Sequence, residues 1–249
     1  MIAEIAPQFP VEYIEIRGEQ PFFAPEVLDE TDLRFFRETI GKAGVRVTLH
    51  ATFYDINLAT INQDVREGVL RSYGRYLDLA REIGAENMVV HAGLLHKDAA
   101  GIDTLRRLAR KNLVENLRWL GDEAQRRGVR IALENSPPNR NLLMVPDCAH
   151  HLSVLKEVAH PAVGAVLDMA HAHLHGLDLL DYLRCIEPYL IELHVHNNHG
   201  QEDEHAGMTR GEIDYATIFR RHPVNVPVIM EIRNFQEAME SLEWIKKFR

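Results

Sequence analysis

Residues Thr104 to Glu134 read TLRRLARKNLVENLRWLGDEAQRRGVRIALE. Apolar residues recur at helical spacing through this stretch until Gly128, which stands where a helix C-cap takes a left-handed residue. RIALE then reads as a short buried strand that closes on a carboxylate. Helix, glycine stop, apolar strand and polar terminus form one unit, and the unit recurs on both sides. TDLRFFRETIGKAG runs into Gly44 before VRVTLH, and VREGVLRSYGRYLDLAREIG runs into Gly84 before NMVVH. Further strands are expected at EYIEIR (ending near Arg17), GAVLD, IELHVH and VPVIME, and further helices at VPDCAHHLSVLKEVA, LDLLDYLRCIEPY and FQEAMESLEWIKKF.

Strand and helix in alternation imply an α/β fold with a parallel sheet, and at this length a (β/α) barrel of the TIM type. No linker, low-complexity run or charge block interrupts it, so residues 1–249 are read as one domain. In such a barrel the C-terminal ends of the strands converge on one face, where catalysis sits. After Arg17 those positions hold His50, His91, Glu134, Asp168, His194 and Glu231. Burying that many ionisable groups together is costly unless cations compensate them, so a metal site is expected.

Two neighbouring stretches extend the set. In LDMAH, His171 follows Asp168 by three residues and can face the same pocket. Beyond His194 the chain reads HVHNNHGQEDEHAGMTRGEID, where Asp203 and His205 can bend back over the barrel mouth on the freedom of Gly200, Gly207 and Gly211. His196 is expected to point away from the interior, and His173, His175 and His199 to be solvated loop histidines.

Composition sets outer bounds. With 46% hydrophobic and 26% charged residues the chain reads as a soluble globular protein. A formal charge of -9 disfavours nucleic acid and anionic membranes, and a phosphorylated ligand needs a locally positive site. No apolar run is long enough to span a bilayer. Cys148 and Cys185 are too few for a disulfide framework, which suggests reduced thiols and a cytoplasmic setting.

Taken together, LHATFYDINLA, VVHAG, ALENSP, LDMAH, HVHNN, DEHAGMTRGEID and IMEIRN resemble the xylose-isomerase-like TIM-barrel superfamily. That superfamily contains sugar and sugar-phosphate isomerases and epimerases, and the apurinic-site endonucleases of the endonuclease IV type (AP endonuclease family 2). The isomerase branch implies one divalent metal on Glu134, Asp168, His194 and Glu231. There Glu134 and Glu231 are the catalytic acid and base, working through an enediolate. The endonuclease branch implies three zinc ions, on His50, His91 and Glu134, on Glu134, Asp168, His194 and Glu231, and on His171, Asp203 and His205.

All nine positions are filled, yet the chain is acidic and has no obvious basic or aromatic insertion for gripping a duplex. The loop ending GEID tilts the reading towards a small sugar or sugar phosphate, with Arg210 as a substrate contact. A third alternative is a degenerate barrel without turnover. Imidazole-rich ligands favour one to three ions of Zn²⁺, Mn²⁺ or Fe²⁺ over Mg²⁺. The resemblance also implies an earlier strand and helix. MIAEIAPQFP resembles only the end of that helix, leaving seven recognised strands with unpaired edges that a homo-oligomeric partner could cover.

Overall fold

The computed structural model describes Phe9 and residues 11–248. Seven strands form one parallel sheet in the order β1 (Tyr13–Arg17), β2 (Arg46–His50), β3 (Ala85–His91), β5 (Arg130–Glu134), β7 (Val163–Asp168), β8 (Leu190–Val195) and β9 (Val228–Met230). Two short strands, β4 (Leu94–Leu95) and β6 (Leu142–Leu143), pair antiparallel with each other outside that sheet. The helices are α1 (Glu30–Ala43), α2 (Gln63–Ile83), α3 (Asp103–Arg127), α4 (Cys148–Val158), α5 (Met169–Leu174), α6 (Leu179–Ile186), α7 (Tyr215–Arg221) and α8 (Phe235–Ile245).

Local chemistry explains the boundaries. Asn62 caps α2 by accepting from Asp64 and Val65 N–H, and Asp29 with Asp32 forms a capping box on α1. The three long helices α1, α2 and α3 end on Gly44, Gly84 and Gly128 at φ 67°, 72° and 73°. A side chain there would meet its own carbonyl, which is why glycine ends each helix and turns the chain into the next strand.

The sheet curls into a nearly closed barrel with an unsealed seam. Among the described residues no backbone ladder joins β1 to β9, and a groove of about 900 Å³ lies between them, lined by Tyr13, Ile14, Val228, Met230, Phe219 and Phe248. The helix remnant expected at Met1–Pro10 lies outside the described residues apart from Phe9. Inside the barrel Val89, Ala132 and Val166 form a small apolar plug separate from the main core. Residues two apart on a strand share a face, so the plug carries His91, Glu134 and Asp168 directly above it. The main core lies between sheet and helices, built on fully buried Leu77, Leu113, Leu117, Leu120 and Leu133.

The expectation of reduced cysteines is corrected: Cys148 and Cys185 form a disulfide that ties α4 to α6. They are 37 residues apart, and only the packing of the two helices brings them together. Among the described residues no helix is long and apolar enough to cross a membrane.

Candidate metal centre and active site

All nine metal-ligand candidates converge at the C-terminal mouth of the barrel. On one wall Glu134 Oε2 is shared by His91 Nε2 at 2.8 Å and His50 Nε2 at 3.2 Å. His50 Nδ1 lies 2.9 Å from the carbonyl of Ala51, an obligate acceptor, so that nitrogen carries a proton, and Nε2, which donates to Glu134 Oε2 in the metal-free protein, is the nitrogen left for a cation. At the centre His194 Nδ1 lies 3.3 Å from Glu134 Oε1 and 3.2 Å from Glu231 Oε1. Glu231 follows β9, and its N–H donates to the Val195 carbonyl.

The second wall is assembled from a strand end, a short helix and the return loop. Asp168 ends β7 and caps α5, its Oδ1 accepting from His171 N–H. Asn135 clamps β5 to β7 by accepting from Asp168 N–H and donating to its carbonyl, and its own carbonyl accepts from His171 Nδ1. His171 Nε2 is thereby aimed at Asp203 Oδ2, 3.6 Å away. His205 Nδ1 donates to the Glu231 carbonyl at 2.7 Å and turns Nε2 to Asp203 Oδ2 at 3.1 Å. That geometry holds His205 at φ 51°, a left-handed conformation costly for a residue with a Cβ.

His196 corrects the sequence reading. It lies one residue beyond β8 and two from His194, so it shares that residue's face and enters the site instead of pointing away. It is fully buried, with Nε2 3.2 Å from Asp168 Oδ2 and 3.6 Å from Asp203 Oδ1. His173 and His175 are also not free loop residues. They belong to α5 and its C-cap, and bond Asn198 Oδ1 and the Ser136 carbonyl. His199 is solvent-exposed and bonds Glu204. Of the loop glycines only Gly200 has positive φ; Gly211 is required because a Cβ there would collide with Asn197 and the Asn198 carbonyl.

These residues fit a divalent cation. Among the described residues six buried side-chain atoms lack a hydrogen bond, all of them here: Glu134 Oε1, Asp168 Oδ2, Asp203 Oδ1, His194 Nδ1 and both ring nitrogens of His196. Lone pairs facing one another at such distances repel unless something positive lies between them. A tetrahedral shell with zinc bonds of 2.0–2.1 Å sets its ligand atoms about 3.3 Å apart, which matches the 3.1–3.6 Å spacings of the second wall. Candidate groups whose ligand atoms all lie within 4.8 Å include His50, His91 and Glu134; Glu134, Asp168 and His194; and His196, Asp203 and His205.

Electrostatics points the same way. Burial would raise the Glu134 carboxyl, but the charges of His91 and His194 and the hydrogen bond of His50 outweigh it and hold it well below the usual range. Burial would lower His50 and His171, yet Glu134 and Glu15 bring the first up to about 9, and Asp168, Asp203 and Glu134 bring the second up to about 10. The cluster is thus a trap for positive charge.

Beneath it lies a buried carboxylate layer that the sequence reading missed. His194 Nε2 faces Glu15 Oε2 at 3.4 Å and Glu192 Oε1 at 3.3 Å, while Asn87 donates to Glu192. Burial pushes Glu15 up to about 8, while hydrogen bonding from His194 overcomes burial to lower Glu192. A neutral and a charged carboxyl thus orient the imidazole from below. The signal was present: Glu192 stands two residues before His194 on one strand and must share its face.

Above the centre opens a cavity of about 460 Å³ lined by His50, His91, Glu134, Asp203, His205 and Glu231, with Arg17, Phe53, Tyr54, Pro137 and Arg233 among the other residues around it. Arg210 is not among its lining residues: its guanidinium bonds Glu240 Oε2 at 2.9 Å on the outer surface.

Fold and site together define a parallel α/β barrel whose mouth gathers imidazoles and carboxylates around a small cavity. The chain belongs to the xylose isomerase-like TIM barrel family, whose model matches residues 4–248. An uncharacterised protein of Methanocaldococcus jannaschii is 25% identical over 227 residues, spanning 89% of this chain and 76% of the relative. Among solved structures, a D-tagatose 3-epimerase-like protein aligns with TM-score 0.84 and 22% identity over 95% of this chain and 88% of its own. A Thermus thermophilus protein soaked with ZnCl₂ aligns with TM-score 0.74 and 24% identity, over 94% and 87%.

Proposed function

We propose that this protein is a divalent-metal-dependent isomerase or epimerase of a small sugar or sugar phosphate. One observation carries the reading: Glu134 and Glu231, from β5 and the end of β9, both line the cavity and both direct an oxygen at His194 Nδ1. Glu134, Asp168, His194 and Glu231 would hold the ion, with zinc or manganese best suited to the mixed nitrogen and oxygen donors. When bound, the ion would polarise a sugar carbonyl and acidify the carbon beside it.

The chain's own groups supply the proton traffic. Glu231, like Glu134, is held below the usual carboxylate range, its burial offset chiefly by the charge of His194. Both are ionised at neutral pH and so are free to accept a proton. One takes the proton from the carbon next to the carbonyl and the other returns it, giving the epimer or the isomer through an enediolate. His50 and His91 both lie against Glu134 Oε2, so either can orient it alone, and the backbone of Glu231 is held twice, by His205 Nδ1 at its carbonyl and by the Val195 carbonyl at its N–H. The likeness to a D-tagatose 3-epimerase-like protein supports ketose chemistry.

The test is exchange of the carbon-bound proton in D₂O by metal-loaded protein, followed by NMR over a panel of ketoses, aldoses and their phosphates. Deuterium should enter only beside the carbonyl and only with metal present. A second reading, a three-metal phosphoesterase of the endonuclease IV type, draws on the His50–His91–Glu134 and His196–Asp203–His205 groups. His91→Ala and His205→Ala separate the two: they should abolish phosphoester hydrolysis under that reading and spare most proton exchange under the first.

A further inference from the structure

We propose that Arg17 and Arg233 form a phosphate clamp at the cavity mouth, so that the substrate is a phosphorylated sugar and not a free one. The proposal deepens the isomerase reading and rests on it for the sugar, but the clamp rests on the arginines alone. Arg17 is the last residue of β1, and Arg233 lies three residues beyond β9. The two strands that flank the seam therefore each deliver a guanidinium to the same end of the barrel, and both residues line the cavity.

Glu15, Glu134, Asp203 and Glu231 line that cavity too, yet neither arginine pairs with any carboxylate among the described residues. Arg17 is held by Tyr54, whose hydroxyl accepts from Nη2 at 2.8 Å, and lies over the Phe53 and Tyr54 rings at 5.1 and 5.6 Å. Phe53 in turn stacks on His91 with centroids 5.1 Å apart and planes within 8°. The two stacking distances put the guanidinium no more than about 10 Å from the His91 ring, within reach of a short sugar chain whose other end sits over Glu134. Arg233 is fixed through its backbone, its N–H donating to the His205 carbonyl, so its side chain stands beside the second wall without an acidic partner.

Charge selects the ligand. The chain carries -9 and the cavity floor is acidic, so an anionic substrate enters only where guanidiniums offset that field. Two of them match a phosphate dianion, with donors disposed for paired hydrogen bonds to its oxygens, whereas a sugar carboxylate needs only one.

The test is calorimetric titration of zinc-loaded wild type, Arg17→Gln, Arg233→Gln and the double variant with a ketopentose, its terminal phosphate ester, the corresponding sugar acid and inorganic phosphate. Both arginines are exposed, so the variants should keep their circular dichroism and metal content. Wild type should bind the ester at least about tenfold more tightly than the ketose, and each substitution should lower that ratio by about tenfold. Inorganic phosphate should bind wild type and lose affinity in the double variant. Equal affinity for ester and ketose, preference for the sugar acid, absence of phosphate binding, or phosphate and ester binding that ignores both substitutions would each overturn the clamp. Ester binding through the arginines without proton exchange would instead overturn the isomerase reading and leave the clamp standing.

Discussion

The two walls of the mouth are built differently. His50, His91 and Glu134 stand on the ends of adjacent strands β2, β3 and β5, where the sheet ladder fixes their spacing. Asp168, His171, His196, Asp203 and His205 come from a strand end, a six-residue helix, the residue after a strand and a loop that returns through a left-handed His205. The first wall is rigid by architecture. The second depends on each hydrogen bond that places it, such as the Asn135 clamp and the paired backbone of Asn197 and Ala206. A rigid wall tolerates loss of one member better than an assembled one.

The sharpest way to break this contrast is at the residue both walls need. Glu134→Gln should lower proton exchange by at least about 1000-fold and strip metal from the site, because His50, His91 and His194 then meet an amide. Dialysed variant protein assayed by elemental analysis checks it. Next comes His196→Ala, which should weaken metal binding at the second wall by at least about tenfold while His50, His91 and Glu134 keep theirs. Competition with a chromophoric chelator measures this, and an unchanged affinity would make His196 a packing residue.

A pH experiment compares the walls without mutation. In metal-free protein His50 is raised to about 9 and His171 to about 10, against an ordinary value of 6.5. A raised imidazole stabilises the fold fully below pH 6.5 and loses that contribution as pH climbs through its folded value. The metal-free Tm should therefore fall between pH 6.5 and 10. The metal-loaded Tm should rise from pH 5 to 7, since ligands must shed protons to bind. A metal-free protein with flat or rising stability above pH 7 would contradict the electrostatic account. The smallest effect is expected at His199→Ala, an exposed loop change worth no more than about 0.5 kcal/mol in chemical denaturation.

The rigid wall was legible in the sequence because each ligand follows an apolar run and precedes a turn, and the stops at Gly44, Gly84 and Gly128 marked the units. The assembled wall was legible only in part. Asp168, His171, Asp203 and His205 stood out by type and by resemblance, but His196 was misread although the two-residue strand period puts it beside His194. Glu15 and Glu192 hid inside the apolar strands YIEIR and LIELHV, where a carboxylate reads as a surface residue until its neighbours on the same face are traced. Arg17 and Arg233 line one cavity only because the barrel curls β1 towards β9, and Cys148 meets Cys185 only through helix packing. No local pattern announces either.

The proposed proton transfer requires a cation where the two walls meet, at Glu134, Asp168 and His194. Elemental analysis of metal per chain tests it most directly, on protein purified without chelator or nickel resin and re-equilibrated with zinc and manganese. At least one tightly held ion per chain, lost in Glu134→Gln, is the expected result. Wild-type protein with metal no higher than the Glu134→Gln background would contradict the account.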